Sequence, residues 1–336
     1  MRDFATLEQE FEQHERGTAR LGAIRMAIEE ADTAQDVRWQ FRFRYDFVRE
    51  SIFSGDRYHG LIRFPEMLHI YGEHHELAES EHCRYDMLIC FRWIVEAISE
   101  FPQVTRSEAE SYFRSLKEML LDQGKSLSCY FMKRGYFYMR IDRDLAAANY
   151  YRFLDAPLDD SSDGRPLCCN HRVMYQLYLG NEEAALREAE PILSGRLRAY
   201  CLPYATHHKF LRFYLSRGEY DKAEEYARRI EPKADGDPFE LYMIGTLMSL
   251  WSVCDPQHGL ALFRRNRRFY DASENPWQRL LFATGAYHLL RTQGAQEEAL
   301  SEQFLETATQ LAGQFRERDG TDDYLRGIRF EEFVQV

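Results

Sequence analysis

Residues 210–223 read Phe-Leu-Arg-Phe-Tyr-Leu-Ser-Arg-Gly-Glu-Tyr-Asp-Lys-Ala. Phe210, Leu211 and Tyr214 lie at helical spacing and lead into Gly218; Ala223, five residues on, sits in a second helical run that Pro232 closes. A glycine at the turn tolerates the backbone the turn needs, and a small residue five later lets the second helix lie close to the first. The same pair recurs as Gly55/Gly60, Gly180/Ala185 and Gly294/Ala299, and in degenerate form as Val104/Ala109, Asp142/Ala147 and Cys254/Gly259. Apart from the longer step from 55 to 104, the first members recur with a period of roughly 38–40 residues, the signature of stacked helical hairpins. Arg84-Tyr85-Asp86-Met87 follows Arg44-Tyr45-Asp46-Phe47 by 40 residues and supports the period independently.

These signals predict an all-α fold, a right-handed α-solenoid of about seven hairpins. The hairpins are expected near 36–72, 80–122, 125–156, 167–194, 200–232, 237–272 and 275–318. Residues 1–35 are expected to cap the array, with Phe4, Leu7 and Phe11 on one face and Leu21, Ile24 and Ile28 on another. Residues 319–336 are expected to close it with a short helix carrying Leu325, Ile328 and Phe333 inward. Gly55-Asp56 makes the first turn, Pro65 kinks or shortens the helix that follows, and Thr105 or Ser107 caps another. Residues 155–166, rich in Asp, Ser, Pro and Gly, read as an exposed loop dividing the array into front and rear halves.

The fifth hairpin, with Phe210, Leu211, Tyr214, Gly218, Tyr220, Ala223 and Pro232, resembles a tetratricopeptide repeat. The third is similar through Phe131, Gly135, Tyr138, Ala147 and Tyr151; the fourth and seventh match at their small-residue pairs; the others keep little more than a turn. The resemblance spans about 36–318, and the stretch from about 143 to 230 further resembles bacterial tetratricopeptide proteins of unassigned function. It implies an array whose first helices line a concave groove. Carrying that register onto this chain nominates Arg42, Tyr45 and Arg49, Tyr136, Asn170, His208 and Arg212, and His288 and Arg291 as groove residues.

The chain has 336 residues and a net charge of −12. That balance disfavours nucleic-acid binding, which neutralises phosphates with Lys and Arg, although Arg38, Arg42, Arg44 and Arg49 leave it as a lesser alternative. No run of 18 apolar residues is present, and the charged N-terminal stretch has no apolar signal core, so a cytoplasmic protein with reduced thiols is expected. No nucleophile, phosphate-loop or zinc-hydrolase motif occurs, and no enzyme activity is expected. Cys169, His171, Cys201 and His207 could meet across two hairpins, but their spacing fits no standard zinc pattern; buried thiols and satisfied histidines are the favoured reading, and neither metal nor cofactor is expected. His74, His75 and His82, with the acids around them, read as a solvated loop.

Arginine forks grip carboxylates, so cationic groove residues in an acidic protein point to a peptide bearing acidic groups or a free C-terminus. The expected function is a protein- or peptide-binding scaffold, with a ligand-responsive regulator of a partner protein as the alternative. The first 35 residues are too short for a helix-turn-helix and linker, so such a regulator is expected to act on another protein.

Overall fold

The computed structural model describes residues 3–55, 57–295 and 297–329. Eighteen α-helices lie among them: α1 (Phe4–Glu12), α2 (Thr18–Ala34), α3 (Val37–Phe53), α4 (Arg57–Glu73), α5 (His75–Glu79), α6 (Glu81–Ala97), α7 (Arg106–Asp122), α8 (Ser128–Tyr138), α9 (Arg143–Asp155), α10 (Arg165–Tyr178), α11 (Glu182–Leu193), α12 (Tyr204–Ser216), α13 (Tyr220–Ala234), α14 (Leu241–Cys254), α15 (Pro256–Ala272), α16 (Pro276–Leu290), α17 (Glu298–Asp319) and α18 (Asp323–Arg326). No strand occurs among the described residues, and none of their helices is long and apolar enough to cross a membrane. The fold is all-α. Asp56 of the first expected turn and Phe333 of the expected closing helix lie outside the described residues.

Local signals start most helices. Asp36, Ser80, Asp142, Asp255 and Asn275 each accept a backbone N–H from the first turn of the helix they precede. Thr105 and Glu108 form a reciprocal capping box at α7. Gly180 and Gly218 adopt φ of 79° and 70°, the left-handed region that favours glycine at a helix end. Of the residues five further on, Ala109, Ala185, Ala223 and Gly259 are buried. Two pairs differ. The tightly buried small residue of α9 is Ala146, not Ala147, and Ala299 is exposed while Ser301 is buried. Before α17 the turn is longer, with a 3-10 turn at Arg291–Gln293, so the buried position slips along the chain. Helix α13 runs two residues past Pro232 to Ala234, and α4 passes through Pro65. A proline in the last turn removes a donor where the helix is already ending, so it closes α13 only approximately.

Helices α3/α4, α6/α7, α8/α9, α10/α11, α12/α13, α14/α15 and α16/α17 pack as consecutive pairs. First helices also pack on the next first helix: α3 on α6, α6 on α8, α10 on α12, α12 on α14 and α14 on α16. One large apolar core lies in residues 41–146 and another in 173–328. A smaller core sets Phe4, Leu7, Phe11, Leu21, Ile24 and Ile28 against Phe43 and Phe47. Met132, Tyr150, Phe153, Cys168 and Tyr175 join the front half to the rear.

Two segments expected to be open loops are held down. The His74–His82 region contains α5, which buries Leu77 in the front core. Residues 156–164 fold back on the front half. Asp159 accepts from the Ser126 N–H at 2.7 Å and the Ser161 N–H at 2.9 Å, and Ser161 is buried. Asp163 turns inward to pair with Arg92 and Lys133. Most of residues 155–166 stay exposed as expected, Asp159 and Asp160 among them, while Ser161 and Ser162 are buried and Asp159 accepts from the backbone as in an Asx turn.

The closest helix crossing is α14 on α16. A Cβ on Gly245 would stand 2.1 Å from the Leu281 carbonyl oxygen, and one on Gly285 would stand 2.0 Å from that of Gly245. Backbone meets backbone, so no rotamer change can relieve an added methyl. Gly245→Ala or Gly285→Ala should destabilise the protein by about 1–3 kcal/mol in urea unfolding. Gly313→Ala, inside α17 with nothing within 4 Å of its Cβ, should stabilise by about 0.5–1 kcal/mol.

Candidate ligand-binding inner face

The front half, α1 to α9, and the rear half, from α10 on, meet at several places remote from their connecting loop. Phe53 packs edge-on to Tyr200 with ring centroids 6.5 Å apart, and Gly55 lies against the Phe239 ring. The Asn275 amide donates to Glu100 Oε2 at 2.6 Å, while Arg57 pairs with the other Glu100 oxygen. Arg318 reaches from the end of α17 and donates to the carbonyls of Ile98 (3.0 Å), Phe101 (3.2 Å) and Ser99 (3.4 Å). These close the 3-10 turn Ile98–Glu100 that ends α6. Helix-end carbonyls have no donor within their helix, and a guanidinium from the far end of the chain caps them. The rest of that guanidinium binds Asp319, whose Oδ2 also accepts from the Tyr324 hydroxyl at 2.5 Å. Arg318 and Asp319 are both buried.

Between these contacts the halves face one another across a polar lining. On the front side the charges balance. Lys133 Nζ lies 2.5 Å from Glu96 and 3.0 Å from Asp163, which Arg92 also grips. Burial would raise the Asp163 carboxyl, but Lys133 and Arg92 outweigh it and hold it down to about 2.

Toward the rear the charges do not balance. Lys209 Nζ donates only to the Ala205 carbonyl, at 3.3 Å, and has no carboxylate partner among the described residues. Arg212 makes no hydrogen bond or ion pair among them. Arg140 lies over the rings of Trp277 (4.5 Å) and Tyr324 (5.8 Å) and has no carboxylate partner there either. Burial drives the Lys209 ammonium down to about 8, with Arg212 adding repulsion. Burial, then repulsion from Arg140, takes Arg212 down to about 10. Water still reaches both side chains, so the desolvation comes from protein gathered around them and not from sealing. Burial, Arg212 and Lys209 hold the His208 ring well below its ordinary value, hence neutral. Burial pushes the Tyr136 and Tyr242 phenols up, so both keep their hydrogen at neutral pH.

Of the residues the groove register nominates, Tyr136, His208 and Arg212 come within electrostatic reach of this lining. Arg42, Tyr45 and Arg49 form a separate network on α3. Arg42 pairs with Glu8, Asp46 and Asp86, Arg49 pairs with Asp46 and Glu12, and both guanidinium groups flank the Tyr45 ring. Burial pushes the Asp46 carboxyl up to about 7 against the pull of Arg42 and Arg49. Asn170 accepts from Thr206 Oγ1 at 2.9 Å, inside the α10/α12 interface. His288 is buried in the rear core, with Nε2 donating to the Ile328 carbonyl at 2.7 Å and Nδ1 2.9 Å from Ser249 Oγ. Arg291 is exposed just past α16, over the Tyr287 ring.

Cys169, His171, Cys201 and His207 do not converge: no group of three His, Cys, Asp or Glu able to hold a metal ion occurs among the described residues. The Cys169 thiol donates to the Glu188 carbonyl, and the His171 and His207 rings pack on Phe153 and Tyr226. The register missed Lys209, one turn before Arg212 on α12, and Arg140, which lies in the turn just past the end of α8 where helical spacing does not reach. Tyr200 sits in the connection before α12, where no periodicity points to it.

The chain matches no family model, no curated protein and no solved structure, so the functional argument rests on this geometry.

Arg318→Met should cost about 3–5 kcal/mol in urea unfolding, because it strands the buried Asp319 carboxylate. It should also speed amide exchange through residues 98–101. An unchanged unfolding midpoint would show that this contact does not hold the halves together.

Proposed function

We propose that this chain is a tetratricopeptide-like, right-handed α-solenoid of about seven hairpins that acts as a scaffold or adaptor by holding a peptide segment of a partner protein on its inner face. Recurring inter-pair hydrogen bonds support the repeat. Thr206 to Asn170, His208 to Thr246, Ser249 to His288 and His288 to the Ile328 carbonyl span 36, 38, 39 and 40 residues. Similar separations between successive contacts are what stacked units of similar length produce.

The observation that carries the functional reading is an aromatic cluster beside a charged lining. Tyr200 is 79% exposed, Phe239 41% and Phe53 39%, where the front and rear halves meet. Large rings left open beside hydrogen-bonding and cationic groups are what peptide recognition uses as anchors. The regulator alternative uses the same surface, with a ligand biasing the front–rear contacts. Nucleic-acid binding through α3 is disfavoured because Arg42, Arg44 and Arg49 are each already paired with carboxylates. Seven unpaired thiols suit a reducing compartment, and we place the protein in the cytoplasm.

Selection from a displayed random-peptide library should enrich a sequence family whose synthetic members bind in solution. Tyr200→Ala should weaken that binding by about tenfold, the scale of one lost anchor, whereas Tyr85→Ala, at an exposed tyrosine on α6, should leave it unchanged. Failure to enrich any family, or equal losses in both variants, would remove this reading.

A further inference from the structure

Along one face of α10 stand Arg165, Cys168, Cys169 and Arg172, at the i, i+3, i+4, i+7 spacing that puts side chains on a single stripe. Helix α11 packs beside it and brings Arg187, Glu188 and Pro191 to the same place, and the turn that follows adds Arg196 and Leu197. With Leu158 from the segment before α10, these side chains line one cavity of about 440 Å³. None of them belongs to the inner-face lining or to the aromatic cluster. We propose that this cavity binds a small organic anion, whose phosphate or carboxylate group is held by the arginines while its apolar body lies on Leu158, Pro191 and Leu197.

The walls are fixed by bonds within the protein. The Cys169 thiol donates to the Glu188 carbonyl at 2.9 Å and ties α10 to α11. Gly195, with φ of 76°, turns the chain at the end of α11, and the Leu197 N–H returns to the Pro191 carbonyl at 2.7 Å, which sets Leu197 beside Pro191. Leu158 lies between Pro157 and Asp159, both of which accept from Ser126 of the front half. The cysteines supply no reactive thiol. Cys168 donates to the Asp163 carbonyl at 3.0 Å, and burial pushes its thiol up to about 11 and that of Cys169 up as well. Both keep their hydrogen at neutral pH and act as apolar wall.

The charge of the lining selects the ligand. Four guanidinium groups and one carboxylate line the cavity, in a chain that carries 55 acidic and 43 basic residues. Glu188 accepts from Arg172 Nε at 2.8 Å, and the two terminal nitrogens of that guanidinium hold no carboxylate among the described residues. Arg165 makes no hydrogen bond or ion pair among them. Arg187 and Arg196 pair with Glu183 and Glu190, but all four of these side chains are more than half exposed. Pairs open to water contribute little, so an incoming oxyanion takes their place at small cost. Guanidinium forks match the paired oxygens of phosphate and carboxylate, and their stems add apolar contact. A cavity of this size takes a small molecule that sets a few polar groups on an apolar body.

The test uses the whole protein and calorimetry at constant ionic strength, with four probes: phenyl phosphate, benzoate, inorganic phosphate and benzyl alcohol. Phenyl phosphate or benzoate should bind, and the tighter of the two names the head group. Benzyl alcohol has the ring without the charge and inorganic phosphate the charge without the ring, so each should bind at least about tenfold more weakly. Arg165→Gln should weaken the tighter probe by about tenfold, the scale of one charge-assisted hydrogen-bonding group. This residue has no partner whose loss could disturb the fold. Leu158→Asp, at an exposed position, should weaken binding at least as much by setting a carboxylate beside the ligand. Arg228→Gln, which removes the same charge from α13, should leave binding unchanged, as should Tyr200→Ala in the aromatic cluster.

No binding of either organic anion, binding that survives both Arg165→Gln and Leu158→Asp, or an equal loss in Arg228→Gln would overturn the proposal. Benzyl alcohol binding as tightly as the anions would overturn the role of the arginines, and inorganic phosphate doing so would overturn that of the apolar wall.

Discussion

Each helix pair in the rear half must bury one face against the pair before it, and a line of buried polar atoms sets the register in which it does so. Thr206 meets Asn170, His208 meets Thr246, and His288 joins Ser249 to the Ile328 carbonyl. Apolar contacts tolerate sliding because one methyl replaces another at little loss. A buried hydroxyl or imidazole does not, since leaving it unsatisfied costs about 1–3 kcal/mol. Once this line is in register, the glycines at 245 and 285 come opposite backbone and the helices can close to contact. Polar pairing thus selects one stacking among several that hydrophobic burial alone would allow.

The same stacking carries the chain round until its rear meets its front. The last long helix, α17, delivers Arg318 to the carbonyls that end α6, and Asn275, which caps the start of α16, binds Glu100. Closure is made by a few hydrogen bonds and by ring contacts at Tyr200, Phe239, Trp277, Tyr324 and Phe137, not by a continuous apolar interface. The two large cores remain separate on either side of it. A contact of that kind holds the halves at a defined distance while leaving the lining between them polar and reachable by water.

Much of the fold was legible because it rests on local chemistry. Gly218 and Ala223 announce a turn and a close approach in any context, and Thr105 with Glu108 announces a helix start. What local chemistry cannot convey is which polar residue will be recruited by a distant one. Asp159 and Asp163 lie in a stretch that looks solvated, yet Ser126 and Lys133 draw them in. The repeat register points to His208 and His288 as groove residues, and it is blind to the partner 38 or 39 residues away that engages each ring. Arg42 and Arg49 raise the same difficulty, because the carboxylates of Glu8 and Glu12 reach them from α1, outside the repeat altogether.

The inner face differs from the rest of the molecule in the kind of consistency it shows. Through much of the molecule acids meet bases, as at Arg44, Arg92 and Arg318, and small residues meet backbone, as at Gly245 and Gly285. Arg140, Lys209 and Arg212 are different: each is half-buried, and none has a carboxylate partner among the described residues. A chain with 55 acidic residues against 43 basic ones does not lack carboxylates to place there. Binding sites are where a folded chain keeps interactions unfinished, because a group satisfied within the protein has nothing to offer a ligand. The stability given up by leaving these three unpaired is small beside what the two extended cores and the closure at Arg318 supply.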